Sequence, residues 1–234
     1  MPFYIYVSAA AGSTYRYLII ADSRESGDFL FIGLDVNPDF TNLRRISPQL
    51  WKWDEGPILQ LVKKINEGTI VGNNILRDLR YKILVHILPQ VGSFGDFPII
   101  PDIGLLDYIS ERTFFIRNRM NKSQFWEFGA VANRITISTV NRTGFKIQLV
   151  ATPARVMVDT DRVELFANGA LSLTKIGLQN PGAVLTGADS SFTFLFGALK
   201  FGFYIGQDAA GNNCVCWNST ATANNAADVW ELCS

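Results

Sequence analysis

The chain has 234 residues, 48% of them hydrophobic and 12% aromatic, and its 21 Lys and Arg balance 21 Asp and Glu. That length supports a substantial core without a partner, and a charged fraction of only 18% with many apolar residues excludes extended disorder. Net neutrality argues against a dedicated nucleic-acid binder, which is usually basic.

The first elements are extended. Residues 3–9 and 15–21 are apolar runs split by Ala10-Ala11-Gly12-Ser13, a turn-forming patch, and this predicts a hairpin. Residues 28–33 continue as a third strand until Asn37-Pro38-Asp39 breaks the chain, and 49–53 form a fourth. Asp54-Glu55-Gly56-Pro57 then precedes Ile58, Leu59, Leu61, Val62 and Ile65, which gather on one helical face, so a short helix is predicted over 57–67. Residues 80–88 return to strand, 89–101 read as a Gly- and Pro-rich loop, and 102–109 as a second helical turn. From Thr113 strand signals come regularly, at 113–118, 124–129, 134–139, 145–151, 155–159, 162–166, 171–175, 192–197, 202–206, 213–217 and 228–232. Short strands between turns indicate an all-β barrel or sandwich. The block 168–206, low in charge, is either buried strands or an inserted flap.

One phrase recurs: Gln49-Leu50-Trp51-Lys52-Trp53, Gln124-Phe125-Trp126-Glu127-Phe128 and Asp228-Val229-Trp230-Glu231-Leu232. Each puts two large apolar side chains on one face of a strand. Around the last copy, Phe203-Tyr204-Ile205, Ala209-Ala210-Gly211-Asn212-Asn213, Cys214-Val215-Cys216-Trp217 and a polar run over 218–225 resemble one repeat of a ricin-B-type β-trefoil lectin. Such a repeat opens with an aromatic-x-Ile strand and closes with Gln-x-Trp; here Asp228 stands for the Gln. Phe114-Phe115-Ile116-Arg117-Asn118 resembles the start of another repeat, and Gln49-Leu50-Trp51 the end of the first. The intervals between the tryptophans are unequal and long, so the resemblance implies insertions at 57–78, 89–111 and 168–200. It implies one elaborated domain over 1–234, all-β, a β-trefoil-like barrel with long insertions and one or two short helices. The alternative is that the three phrases are core residues of any β protein.

Few residues suit catalysis. His86, the single histidine, lies in an apolar strand run and reads as a buried, satisfied imidazole. Cys214, Cys216 and Cys233 lack the spacing of a zinc set and read as small apolar residues. Gly92-Ser93-Phe94-Gly95 leads into Pro98 and reads as a plain turn, as Asp159 and Asp161 read as turn acids. No catalytic residue, metal or cofactor is expected.

Binding has better material. Sugar recognition combines an aromatic ring with short Asp and Asn side chains, and Asp208, Trp217, Asn224, Asn225 and Asp228 offer that set. The resemblance implies Asp208 as the acid after the first strand, Trp217 as the stacking ring, and Asn224 and Asn225 as polar partners; an exposed polar turn beside a core Trp is the bland alternative. A rival lies in 112–146, where Arg112, Arg117, Arg119, Lys122, Arg134, Arg142 and Lys146 face one acid, Glu127. Arg117 and Arg119 project together on a strand, and basic groups interleaved with aromatics can hold single-stranded nucleic acid, sulfated glycans or anionic lipid heads; a solvated face is the plainer reading.

The expectation is a non-catalytic, carbohydrate-binding lectin of the defence kind, with glycans or glycoproteins as partners and no strong nucleic-acid signal. The alternatives are a protease inhibitor that inserts loop 89–101 into an enzyme, and a membrane-active, pore-forming toxin in which 168–206 rearranges. The insertions could also supply a homodimer interface. The N-terminal residues lack a basic lead and a long apolar run, and with an odd cysteine count this predicts a cytoplasmic setting, or release without a signal peptide. The sequons at Asn121, Asn141 and Asn218 are then unmodified.

Overall fold

A computed structural model describes residues 1–9, 16–40, 42–53, 77–88, 105–129, 133–169, 173–179, 184–188, 192–208, 210–218 and 230–234. It is all-β in character, with one α-helix among the described residues, and the chain divides into two compact units, Met1–Asp107 and Tyr108–Ser234.

In the first unit β1 (Phe3–Ala9) and β2 (Arg16–Ala21) form the expected antiparallel hairpin. Helix α1 (Arg24–Asp35) follows, then β3 (Leu43–Ser47), β4 (Leu50–Trp53) and β5 (Ile83–Leu88), and the sheet order is β3-β4-β1-β2-β5. Register puts Ile5 opposite Ile19, Val7 opposite both Tyr17 and Trp51, and Leu43 opposite Trp53, so one face carries the buried side chains. Helix α1 covers it. The Phe31 ring meets Trp51 edge-on at 5.2 Å, and the helix approaches so closely that a Cβ on Gly27 would stand 2.8 Å from Ile5 Cδ1.

The reading of 28–33 as a strand is therefore corrected. The Ser23 hydroxyl caps the helix by accepting from the Ser26 amide at 3.2 Å, and Glu25 sits in the first turn, where the helix dipole favours an acid. The run Phe29-Leu30-Phe31-Ile32 fits either period, and the cap decides it. Strand β3 went unread because its pattern is inverted: Ile46 is exposed, whereas Arg45 is buried.

The second unit is a closed barrel of seven strands. These are β6 (Thr113–Asn118), β7 (Phe125–Gly129), β8 (Arg134–Ser138), β9 (Phe145–Leu149), β10 (Arg162–Asn168), β11 (Leu173–Gln179) and β12 (Val184–Gly187). The antiparallel ring runs β6-β7-β8-β12-β11-β10-β9 and returns to β6. Outside it, β13 (Thr193–Leu195) joins β10, β16 (Trp230–Cys233) joins β6, and the hairpin of β14 (Phe203–Gln207) and β15 (Asn213–Trp217) attaches to β12. Alternation fills the barrel: Phe114, Ile116, Phe145, Ile147, Val163 and Leu165 are buried. At its centre the Trp126 ring touches Phe145, Phe203 and Trp230 at 5.9, 5.1 and 5.5 Å, and Trp230 Nε1 donates to the Phe203 carbonyl at 2.9 Å.

Within the described part of 168–206, β11 and β12 close the ring, and Phe196–Lys200 forms a 3₁₀ turn. Residues 155–159 are not a strand; Val156 makes a single bridge to Ile109. Residues 105–109 are not helical, and the helix expected over 57–67 and the loop 89–101 lie outside the described residues. Trp126 and Trp230 share the barrel core, whereas Trp51 belongs to the first unit. No helix among the described residues is long and apolar enough to cross a membrane.

Candidate functional site

In the second unit a half-open cavity of about 240 Å³ lies where β6 ends beside β16. Tyr108, just before β6, and Phe196 form an aromatic wall, edge to face at 5.6 Å. Leu199, Trp230 and Leu232 add apolar lining, while Arg119, Lys200 and Glu231 are its charged members. The 3₁₀ turn Phe196–Lys200 is held in place by two amides, Phe196 donating to the Asp161 carbonyl at 2.8 Å and Gly197 to that of Asp159 at 2.9 Å. Lys200 Nζ reaches Asp159 at 2.7 Å, Glu231 accepts from Arg117 Nε at 2.7 Å, and exposed Arg119 has no carboxylate partner among the described residues. The cavity combines two aromatic rings, apolar walls and three ionic groups, the mixture that small polar ligands require.

Of the residues singled out from sequence, Asp208 and Trp217 are described, and they stand apart. Asp208 sits at the β14–β15 turn, where it accepts from the Ala210 and Asn212 amides at 2.9 and 2.8 Å and pairs with Arg134. Trp217 closes the other end of the same hairpin, opposite Phe203, packed on Phe192, Phe194 and Phe203 at 5.1, 6.0 and 4.8 Å. A Cβ on Gly202 would collide with its indole, so glycine is what lets the ring lie flat there. Asp208 organises a turn and Trp217 seals a hydrophobic edge; Asn224, Asn225 and Asp228 lie outside the described residues.

His86 is exposed on β5 rather than buried, because that strand edges the sheet and His86 faces outward with Leu84. Cys214 and Cys216 are buried on one face of β15 with their sulfurs 3.6 Å apart, and burial with the neighbouring thiol pushes Cys214 up to about 11. Half-buried Cys233 stands across from Phe115. Asp159 and Asp161 are turn acids, the latter gripped by Arg155 through bonds of 2.7 and 2.8 Å.

A buried ionic cluster in the first unit escaped the sequence reading. Arg45 Nη2 lies 2.6 Å from Asp28 and 2.9 Å from Asp107, Arg45 Nε donates to Asp107 at 3.1 Å, and Arg24 Nε lies 3.4 Å from Asp28. Burial pushes the Asp28 carboxyl above its ordinary range, opposed by the Arg45 and Arg24 charges. Arg45 bonds both carboxylates, so the cluster fastens β3, α1 and Asp107 together.

No family model, curated protein or solved structure matches the chain. The barrel cavity is the arrangement from which a function can be argued. Its lining comes from four separate segments; Arg119 belongs to the basic stretch and Trp230, Glu231 and Leu232 to the recurring tryptophan phrase, whereas nothing in the sequence joins these to Tyr108 and the 196–200 turn.

Proposed function

We propose that this protein is a non-catalytic carbohydrate-binding protein and that the cavity beside β16 receives one sugar ring. The observation that carries this is the pairing of the Tyr108 and Phe196 wall with Arg119, Lys200 and Glu231 in a cavity of about 240 Å³. That volume falls below the roughly 300–1,000 Å³ of sites for drug-sized ligands and suits a single pyranose. A ring wall supports the apolar face of a sugar, and charged donors and acceptors bond its hydroxyls. In its finer form the reading is a ricin-B-like β-trefoil lectin with insertions, for which the shared packing of Trp126 and Trp230 speaks. With Trp51 in the other unit, the cavity supports a lectin more directly than the repeat does.

A glycan array followed by calorimetry tests it. The expected result is a ligand whose affinity drops at least tenfold with Tyr108→Ala and with Glu231→Gln, while circular dichroism stays unchanged. Absence of any glycan ligand, or binding indifferent to both substitutions, overturns the proposal. Trp217→Ala in the same assay separates this cavity from the β14–β15 hairpin.

A further inference from the structure

The outward face of β6 carries a row of cations that leads into this cavity. Phe114, Ile116 and Asn118 point into the barrel, leaving Thr113, Phe115, Arg117 and Arg119 outward. Register sets Lys146 opposite Thr113, and the Arg142 guanidinium lies 4.0 Å from the centre of the Phe115 ring and 5.9 Å from that of Phe125. Arg119, at the end of the strand, belongs to both the row and the cavity. Outward positions two apart are about 6.7 Å from each other, so the row from Thr113 to Arg119 runs about 20 Å, the length of several linked sugar rings.

Its charge is compensated only in part. Among the carboxylates of this face Glu231 is bonded to Arg117, Glu164 lies 3.6 Å from Lys175, and Glu127 accepts from the Asn141 amide at 3.0 Å. Arg119, Lys122, Arg142 and Lys146 have no carboxylate partner among the described residues. Such a row is complementary to a linear polyanion.

We propose that this face binds an acidic polysaccharide, a sulfated or uronic glycan that lies along Lys146, Arg142 and Arg119 with one sugar in the cavity. The inference rests on the carbohydrate reading of that cavity. The arrangement favours a glycan over single-stranded nucleic acid because base stacking needs open aromatic faces, and here Arg142 covers Phe115. A guanidinium held over a ring gives up little further side-chain freedom when it bonds a sulfate or carboxylate.

The test is calorimetry of the full chain with a heparin-derived octasaccharide, its desulfated counterpart, a neutral oligosaccharide drawn from the array, and a single-stranded oligonucleotide of matched charge, each at two salt concentrations. Expected are at least tenfold tighter binding of the sulfated form than of the desulfated one, a steep loss with salt, and at least a tenfold loss in Arg142→Gln/Lys146→Gln. Arg162→Gln, which removes an exposed cation of β10 outside the row, keeps wild-type binding. Equal affinity for sulfated and desulfated glycans, or an unaffected double variant, overturns the inference; if neutral glycans still bind, the cavity reading survives. An oligonucleotide bound as tightly as the sulfated glycan also overturns it. Sulfated binding that needs Arg142 and Lys146 but not Tyr108, with no neutral ligand, supports the row and overturns the cavity reading.

Discussion

Replacing Arg45 by Met keeps much of the side chain's bulk in the first unit but removes the cation that two buried carboxylates share. The side chains of Arg45, Asp28 and Asp107 are 4%, 5% and 10% exposed, so water cannot take over the role of the guanidinium. Asp28 would keep only Arg24 at 3.4 Å, and Asp107 would lose the ion pair that Arg45 makes. Breaking a buried pair on one side costs about 3–5 kcal/mol, largely because the remaining charge is stranded. The variant also carries an internal check. Without Arg45, desolvation raises the Asp28 carboxyl further above its unfolded value of 3.8. A carboxyl with a raised folded pKa contributes stability that is present below the unfolded value and lost as pH rises through the folded one. The deficit against wild type is therefore largest near neutrality and shrinks toward pH 4, and Asp28→Asn added to Arg45→Met restores part of it at pH 7. Hydrogen exchange of β1 and β2 peptides read by mass spectrometry measures opening of this unit by itself. A deficit under about 1 kcal/mol, or one equal at both pH values, would refute the argument that stranded charge, rather than lost packing, sets the cost.

Two further outcomes are expected. Trp126→Ala empties the centre of the barrel, where the indole meets three other rings, and should cost about 3–5 kcal/mol; hydrogen exchange of β7 and β9 peptides in urea reads it, and a loss under about 1 kcal/mol would mean that the ring cluster is not the core. Cys214, raised from 9.0 to about 11, contributes stability that is intact below pH 9 and lost as pH climbs through 11, so Cys214→Ala should flatten the alkaline end of the stability profile measured by thermal melts.

The strands of this fold were legible wherever inside and outside alternated cleanly. Phe3–Ala9 and Thr113–Asn118 were read with the bounds they have, since each buries alternate residues against one core. Reading failed where another force overrode the pattern. In α1 a serine cap turned an apolar run into a helix, and in β3 two carboxylates drew an arginine inward. The candidate site was legible only in part. The basic stretch was visible, and Arg119 within it lines the cavity, but Tyr108, Phe196, Lys200 and Glu231 come together only through the pairing of β6 with β16 and the turn after β13. Asp208 and Trp217 belong to one set by residue type, but the β14–β15 register places them at opposite ends of a hairpin.

Closure of the barrel also orders its birth. Strand β8 has β7 on one side and finds its second ring partner only in β12, where Arg134 faces Thr186, and β6 is flanked by β16, the last strand of the second unit. A chain leaving the ribosome can complete the β1–β5 sheet while the ring is still an open ladder, since none of that sheet's strands comes from the second unit. The half-built ladder exposes unpaired strand edges and its aromatic centre until residues near 187 emerge, and the cavity forms later still, with Trp230. Barrel closure thus waits for β12, and truncation before β16 removes the Trp230, Glu231 and Leu232 lining of the cavity together with one partner of β6.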